Sequence, residues 1–270
     1  MKKFSLHMFL SAVGLAAALN IGCSSGTKDP GAGIPLMPST DGFFDGSNEA
    51  GILGAWYSYG DWYGGMPATG GMGDCKVKGG FDQAVCSVIE TPIPGEKFTN
   101  TGKMCTKGTA AKVVNDSTGM FAYSAIWGAG IGFDMANAGT DDGGTGEKGT
   151  WDATAHNVVG FSFHIDMPPV GGQMRVEFPT YAIKGTTDIN SAYWGGATMG
   201  LSPFKTAGDY SFMFDDVPAG SGVGGPMYLM AAATPFDRTK IVSMQFHVVT
   251  NTSSPVPFDY CISNLKALTK

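Results

Sequence analysis

The chain is poor in charge. Only 15% of its 270 residues are Asp, Glu, Lys or Arg, against about a quarter in ordinary soluble domains. The net charge is −6, and no run of Lys or Arg follows Lys2-Lys3. No nucleic acid partner is expected, because phosphate binding needs a basic stripe. Helical patterning is scarce: almost no segment keeps apolar residues at i, i+3 and i+4 for long. Beyond the N-terminus no apolar run approaches the ~20 residues of a spanning helix. No repeat of fixed period recurs, which disfavours propellers and solenoids. Signatures of catalysis are absent as well. There is no Gly-x-Ser-x-Gly elbow and no His-Glu-x-x-His pair, and after His7 the histidines are His156, His164 and His247. Glycine is abundant, at 41 residues, but without the Gly-X-Y period of collagen.

The N-terminus reads as an address. Met1-Lys2-Lys3 is positive, Phe4 to Leu19 is mostly apolar, and Gly22-Cys23 precedes polar Ser24-Ser25. That layout is a signal peptide, and a small residue directly before a cysteine resembles the bacterial lipobox. Residues 1–22 are expected to be removed, leaving a diacylated Cys23. Two acyl chains meet the requirement for stable membrane anchoring. Residues 23–40, small, polar and rich in Pro and Gly, read as a flexible tether. Residues 41–270 read as one domain. The expected location is the bacterial cell envelope, at the outer membrane or cell surface, where disulfides persist. Besides Cys23 there remain Cys75, Cys86, Cys105 and Cys261, an even set with several possible connectivities. Proximity favours Cys75 with Cys86 and Cys105 with Cys261. A zinc site is the rival, without Cys-x-x-Cys or His-x(3–5)-His spacing to support it.

What is present is strand pattern. Short aromatic and β-branched runs are bounded by Gly, Pro, Asn and Asp. The expected strands are 54–60, 110–114, 129–135, 158–166, 173–178, 210–214, 241–249 and 258–268. Phe161, Phe163 and Ile165 alternate with Ser162, His164 and Asp166. Met174, Val176 and Phe178 alternate with Gln173, Arg175 and Glu177. Met244, Phe246 and Val248 alternate with Gln245 and His247. One apolar face per strand marks antiparallel sheets packed on one side. The fold class is therefore all-β: an antiparallel two-sheet β-sandwich, or jelly roll. Gly128, Gly130 and Gly132 fall on one face of a strand. They are not a dinucleotide fingerprint, because no helix pattern follows; they permit close approach of a loop or ligand.

The order of short motifs carries a resemblance. Asp41-Gly-Phe-Phe-Asp-Gly46 comes first, then Trp56-Tyr-Ser-Tyr-Gly-Asp61 and Trp127-Gly-Ala-Gly-Ile-Gly-Phe-Asp134. Trp151-Asp-Ala-Thr-Ala-His-Asn-Val-Val-Gly-Phe-Ser-Phe163, Met174-Arg-Val-Glu-Phe-Pro179, Ser243-Met-Gln-Phe-His-Val248 and Phe258-Asp-Tyr-Cys-Ile-Ser-Asn-Leu265 follow. Over residues 41–268 this resembles the galactose-binding-like jelly-roll domains, including carbohydrate-binding modules, of δ-proteobacterial secreted proteins and lipoproteins. The resemblance implies a concave sheet face that often holds sugar. It also implies a structural calcium ion near the termini, for which Asp41, Asp45 and Asn264 stand in matching regions, with Phe44 where an acid is usual.

Sugars require paired donors and acceptors for hydroxyls and flat rings for C–H faces. The expected ligand face thus takes Ser162, His164, Asp166, Gln173, Arg175, Glu177, Gln245 and His247 from the polar sides of the strands. Tyr57 or Tyr59 is expected as a stacking ring, one of the two faces of that strand being turned inward. Trp194 is a candidate lid, and Trp62 and Tyr63 are candidate loop-tip contacts. Trp127 and Trp151 are assigned to the core or a sheet edge. Three functions remain open: a lipid-anchored, non-catalytic glycan-binding protein, a structural or protein-interaction module of the envelope, and a glycosidase or lyase. The last would use Asp166 and Glu177, if they stood about 5–9 Å apart.

Overall fold

The computed structural model describes residues 33–61, 87–91, 102–115, 118–122, 126–137, 149–169, 173–180, 192–194, 206–214 and 237–270. Cys23, Trp62, Tyr63, Cys75 and Cys86 lie outside these residues. Among the described residues twelve strands form two six-stranded antiparallel sheets. In chain order they are β1 (Ile34–Pro35), β2 (Phe43–Asp45), β3 (Leu53–Gly60), β4 (Val88–Thr91), β5 (Lys103–Ala110) and β6 (Gly128–Asp134). Then come β7 (Val158–Asp166), β8 (Gln173–Phe178), β9 (Ala192–Trp194), β10 (Gly208–Met213), β11 (Ser243–Val249) and β12 (Val256–Thr269). Sheet I runs β10-β7-β12-β5-β4, with β1 also on β12; sheet II runs β2-β3-β6-β11-β8-β9.

The alternation in the sequence builds the sandwich. Phe161, Phe163 and Ile165 of β7 are buried, and so are Met174, Val176 and Phe178 of β8 and Met244, Phe246 and Val248 of β11. Each such side chain contributes roughly 1.5–3 kcal/mol by leaving water. The two inner faces meet ring against ring. Phe163 of sheet I lies edge-on to Phe246 of sheet II, with centroids 4.9 Å apart. Phe161 stacks on Phe178 at 5.8 Å. The Tyr260 hydroxyl donates to the Phe246 carbonyl at 2.7 Å, a polar tie between the sheets inside the core. Trp151 is buried, as expected, and its indole N–H donates to the Ala50 carbonyl at 2.7 Å.

Two expectations change. The strand expected at 110–114 is instead β5, which ends at Ala110. Its inward positions are Met104, Thr106, Gly108 and Ala110, too small and polar to announce a buried face. Gly108 is required there, since a Cβ would come within 2.2 Å of the Val88 carbonyl and 2.7 Å of the Phe258 ring. The tether expected over 23–40 joins the fold before its end. Ile34 and Pro35 pair with β12, and Leu36 is buried with its N–H on the Leu265 carbonyl. β1 pairs with β12 beyond the start of β5, whose last partner there is Ser263, and in its ladder with β7 β12 carries a bulge after Ser263, where Asn264 takes a left-handed φ of 51°.

Cys105 and Cys261 are joined, directly opposed in the β5–β12 register and 156 residues apart in sequence. The long-range half of the expected pairing is therefore present. It sits on the outer side of sheet I, with Cys105 exposed.

Candidate functional site

The outer face of sheet II is laid out in two rows across the strands. One row is Tyr59, Gly130, His247 and Arg175; the other is Tyr57, Gly132, Gln245 and Glu177. The middle strand, β6, presents bare backbone in both. A Cβ on Gly130 would stand 2.0 Å from the Phe246 carbonyl, and one on Gly132 would stand 2.7 Å from the Met244 carbonyl. Neighbouring side chains use the space. Tyr57 reaches over the glycine strip far enough for its hydroxyl oxygen to accept from the Gln245 amide at 3.0 Å. The Tyr59 ring comes edge-on to the His247 imidazole, with centroids 5.8 Å apart. Tyr57 and Tyr59 themselves lie 6.0 Å apart.

Trp127 completes this surface. Strict alternation would send it inward with Ala129 and Ile131. Gly128, at φ 130°, breaks the alternation. Trp127 instead stacks on Tyr59 at 5.9 Å and packs against His247 at 5.4 Å. Its assignment to the core or a sheet edge is thereby revised, and the only signal for it was the glycine that follows. Tyr57, Tyr59, Trp127 and Gln245 are half-buried, so each keeps a part in solvent. They form an aromatic surface in which Trp127 lies within 21° of parallel to Tyr59 and Tyr57 is inclined to Tyr59 at 60°, with an amide at one side.

Behind it lies a buried charged group. Arg175 and His247 are each 2% exposed and Glu177 is 7% exposed. The Arg175 Nε donates to Glu177 Oε1. The same oxygen lies 3.2 Å from His247 Nδ1, and His247 Nε2 donates to the Trp127 carbonyl at 3.0 Å. Burial pushes the Glu177 carboxyl up, but the charges of Arg175 and then His247 outweigh it and hold it down at about 2. Arg175, Glu177 and His247 were expected as exposed contacts. They are instead supports, packed too deeply to touch a ligand that rests on the rings.

That depressed carboxyl makes stability depend on acidity. A group whose folded pKa lies below its unfolded value contributes fully above the unfolded value, near 4.5, and loses its contribution as pH falls toward 2. A difference of that size corresponds to roughly 3 kcal/mol. The wild-type urea midpoint is expected to fall steeply between pH 5 and about 2, with a flatter profile for Glu177→Gln. Equal profiles would show that the ion pair contributes nothing.

Asp61, which no sequence pattern singled out, fixes the end of this face. It is buried, and its carboxylate accepts from the Ser87 N–H at 2.9 Å and the Ser87 hydroxyl at 2.7 Å. It also accepts from the N–H groups of Trp127 and Gly128, at 3.1 and 3.0 Å. Burial raises its pKa against these bonds. Asp61 thus holds the backbone at Trp127, whose carbonyl in turn orients His247.

His164 and Asp166 belong elsewhere. They stand on the outer face of sheet I, on the far side of two core layers. There His164 bridges Asp209 Oδ1 at 2.8 Å and Asp166 Oδ1 at 3.0 Å, and Lys103 Nζ meets Asp166 Oδ2 at 2.6 Å. The Asp209 bond chiefly holds the imidazole above its ordinary pKa, against some desolvation. Alternation tells inside from outside, but not which sheet a strand joins, so the expected single polar face divides into two. The division also removes Asp166 and Glu177 as a catalytic pair, because packed sheets are separated by about 10 Å and these carboxylates lie beyond both.

The register sets Trp194 against Val176 and Tyr193 against Glu177. It is therefore Tyr193 that stands in the same row as Glu177. Of the residues considered for calcium, Asp45 accepts from the Ser47 N–H and hydroxyl at 2.8 and 2.6 Å. Asp41 is exposed before β2, and Asn264 is exposed at the β12 bulge. Among the described residues no group of three or more His, Cys, Asp or Glu gathers as a metal site.

No family model and no curated protein matches the chain. Among solved structures, a family 11 carbohydrate-binding module of a cellulosomal cellulase from Clostridium thermocellum aligns at 16% identity. It covers 63% of this chain and 85% of its own, with a TM-score of 0.30. A family 11 module from the same organism, in complex with a β-1,3-1,4-mixed-linked tetrasaccharide, aligns at 14% identity. It covers 80% of this chain and 96% of its own, also with a TM-score of 0.30. An exo-β-agarase aligns at 9% identity over 68% of this chain and 25% of its own, with a TM-score of 0.23. Likenesses this shallow carry nothing about the ligand, which has to be read from the face itself.

Proposed function

We propose that this protein binds a glycan, without catalysis, on the outer face of sheet II, and does so from the bacterial cell envelope, held by lipid at Cys23. The observation that supports the reading is the half-exposed surface of Tyr57, Tyr59 and Trp127 beside and over the Gly128, Gly130 and Gly132 strip. Aromatic rings with one dry and one wet side suit the C–H faces of sugar rings. Gln245, at the side of the rings, donates its amide N–H groups to Tyr57 and Ser243 and offers its carbonyl oxygen as an acceptor for a neighbouring hydroxyl. The buried Arg175, Glu177 and His247 hold this surface in place. A structural calcium ion on Asp41, Asp45 and Asn264 belongs to the same proposal.

The experiment is a glycan array of residues 31–270, with and without calcium. At least one reproducible hit is expected. Tyr57→Ala and Trp127→Ala should each weaken it tenfold or more, the scale of an aromatic hot spot, while the melting temperature stays close to wild type. Hits that survive both substitutions, or none from a folded and oxidised sample, would sink the reading.

A further inference from the structure

Access and charge set the two sulfurs of the Cys105–Cys261 bond apart. The bond lies on the outer face of sheet I and runs across the strands from β5 to β12. Cys105 is exposed and Cys261 is half-buried. A thiolate that cleaves a disulfide attacks one sulfur in line and expels the other, and access helps to decide which sulfur is attacked. An in-line approach to Cys261 comes over β7, where Asp166 stands in register with Cys261. That carboxylate repels an anion. The approach to Cys105 comes from the opposite side, over β5. There the ladder with β4 ends at Lys107, two residues short of Cys105. Lys103 and Lys107 flank Cys105 on the same outward face of β5. Lys103 is held by Asp166 at 2.6 Å. Lys107 has Glu90 at 3.6 Å, and both of those side chains are about half in solvent, so this pair is loose and leaves the lysine available to a passing anion. The folded sheet does not need the bond. β12 is paired with β5 from Val256 to Ser263 and with β7 from Cys261 to Thr269, so breaking the bond frees no strand.

We propose that Cys105 is a modification site on the folded protein, where a small anionic thiol exchanges into the disulfide. The incoming thiolate attacks Cys105 Sγ. A sulfur–sulfur bond to the newcomer forms as the bond to Cys261 breaks. The electron pair leaves on Cys261 Sγ, which takes a proton from water. One disulfide replaces another, so this step needs no oxidant or reductant. Cys261 stays opposite Cys105 in the ladder. Its thiolate reverses the step by attacking Cys105 Sγ and expelling the small thiol. A second small thiolate that attacks the mixed disulfide instead carries away the oxidised dimer of the thiol and leaves both cysteines reduced. The site goes beyond the glycan reading and stands apart from it, since it lies on the other sheet.

The full chain, with its disulfides oxidised, is treated with reduced glutathione without denaturant, quenched with acid, alkylated and mapped by peptide mass spectrometry. Glutathione is expected on Cys105 and the alkyl group on Cys261, at a rate that does not follow the urea unfolding curve. The map separates these sites from Cys75 and Cys86. Lys107→Glu should slow glutathione about threefold, the scale of a reversed charge near an anion in water, and leave the rate with uncharged 2-mercaptoethanol unchanged. Oxidised glutathione should load Cys105 in Cys261→Ser about tenfold faster than it loads Cys261 in Cys105→Ser, because access and nearby cations favour the first thiol. The wild-type map decides the matter even where a serine variant fails to fold. Glutathione found on Cys261, a bond that resists until the chain unfolds, or equal slowing of both thiols by Lys107→Glu overturns the proposal.

Discussion

Arg175→Ala should cost about 3–5 kcal/mol of stability, the scale for removing one partner of a buried ion pair. The guanidinium is 2% exposed and Glu177, its partner, 7%. Truncation leaves the Glu177 carboxylate buried with only His247 beside it. For a domain of this size about 1 kcal/mol moves the melting temperature by roughly 2–4 °C, so a fall of about 10 °C is expected. Glycan binding should weaken as well, because His247 and the rings packed on it lose their support. The control is Arg175→Met with Glu177→Leu. Removing both charges and keeping the volume is often neutral, so most of the melting temperature should return. An Arg175→Ala protein that melts like wild type would show that the pair is solvated and not a support.

Replacing both Cys105 and Cys261 with Ser should cost about 2–5 kcal/mol. The bond closes a loop of 156 residues, and in the chain-entropy picture long loops give the larger effects. That loop contains β6 through β11 and so spans both sheets. The strands it links are already paired from Val256 to Ser263, so the folded ladder should survive and the change should appear as a lower urea midpoint with unchanged glycan binding. Because Cys105 is exposed, a mild reductant added to wild type should reproduce the shift. A double variant with an unchanged midpoint would contradict the expectation.

Much of the fold was legible from the residues. β7 and β8 begin and end where alternation places them, because Phe161, Phe163, Ile165 and Met174, Val176, Phe178 leave no other register for a buried face. β5 was not legible, since Thr106, Gly108 and Ala110 bury without being strongly apolar. The ligand face was half legible. The tyrosine pair and the glycine strip are local patterns, and Tyr57, Tyr59, Gln245 and His247 do come together. Three things are not local. Sheet membership separates His164 and Asp166 from the rest. Burial, which alternation along one strand does not reveal, turns Arg175 and Glu177 from contacts into supports. A single glycine conformation at Gly128 turns Trp127 outward.

The most direct measurement is hydroxyl-radical footprinting of the wild-type domain, free and saturated with its strongest glycan from the array. The expected result is protection of Tyr57, Tyr59 and Trp127, all on the outer face of sheet II, with His164 on the outer face of sheet I equally reactive in both states. Protection at His164 with none at the three rings would contradict the assignment of the glycan face.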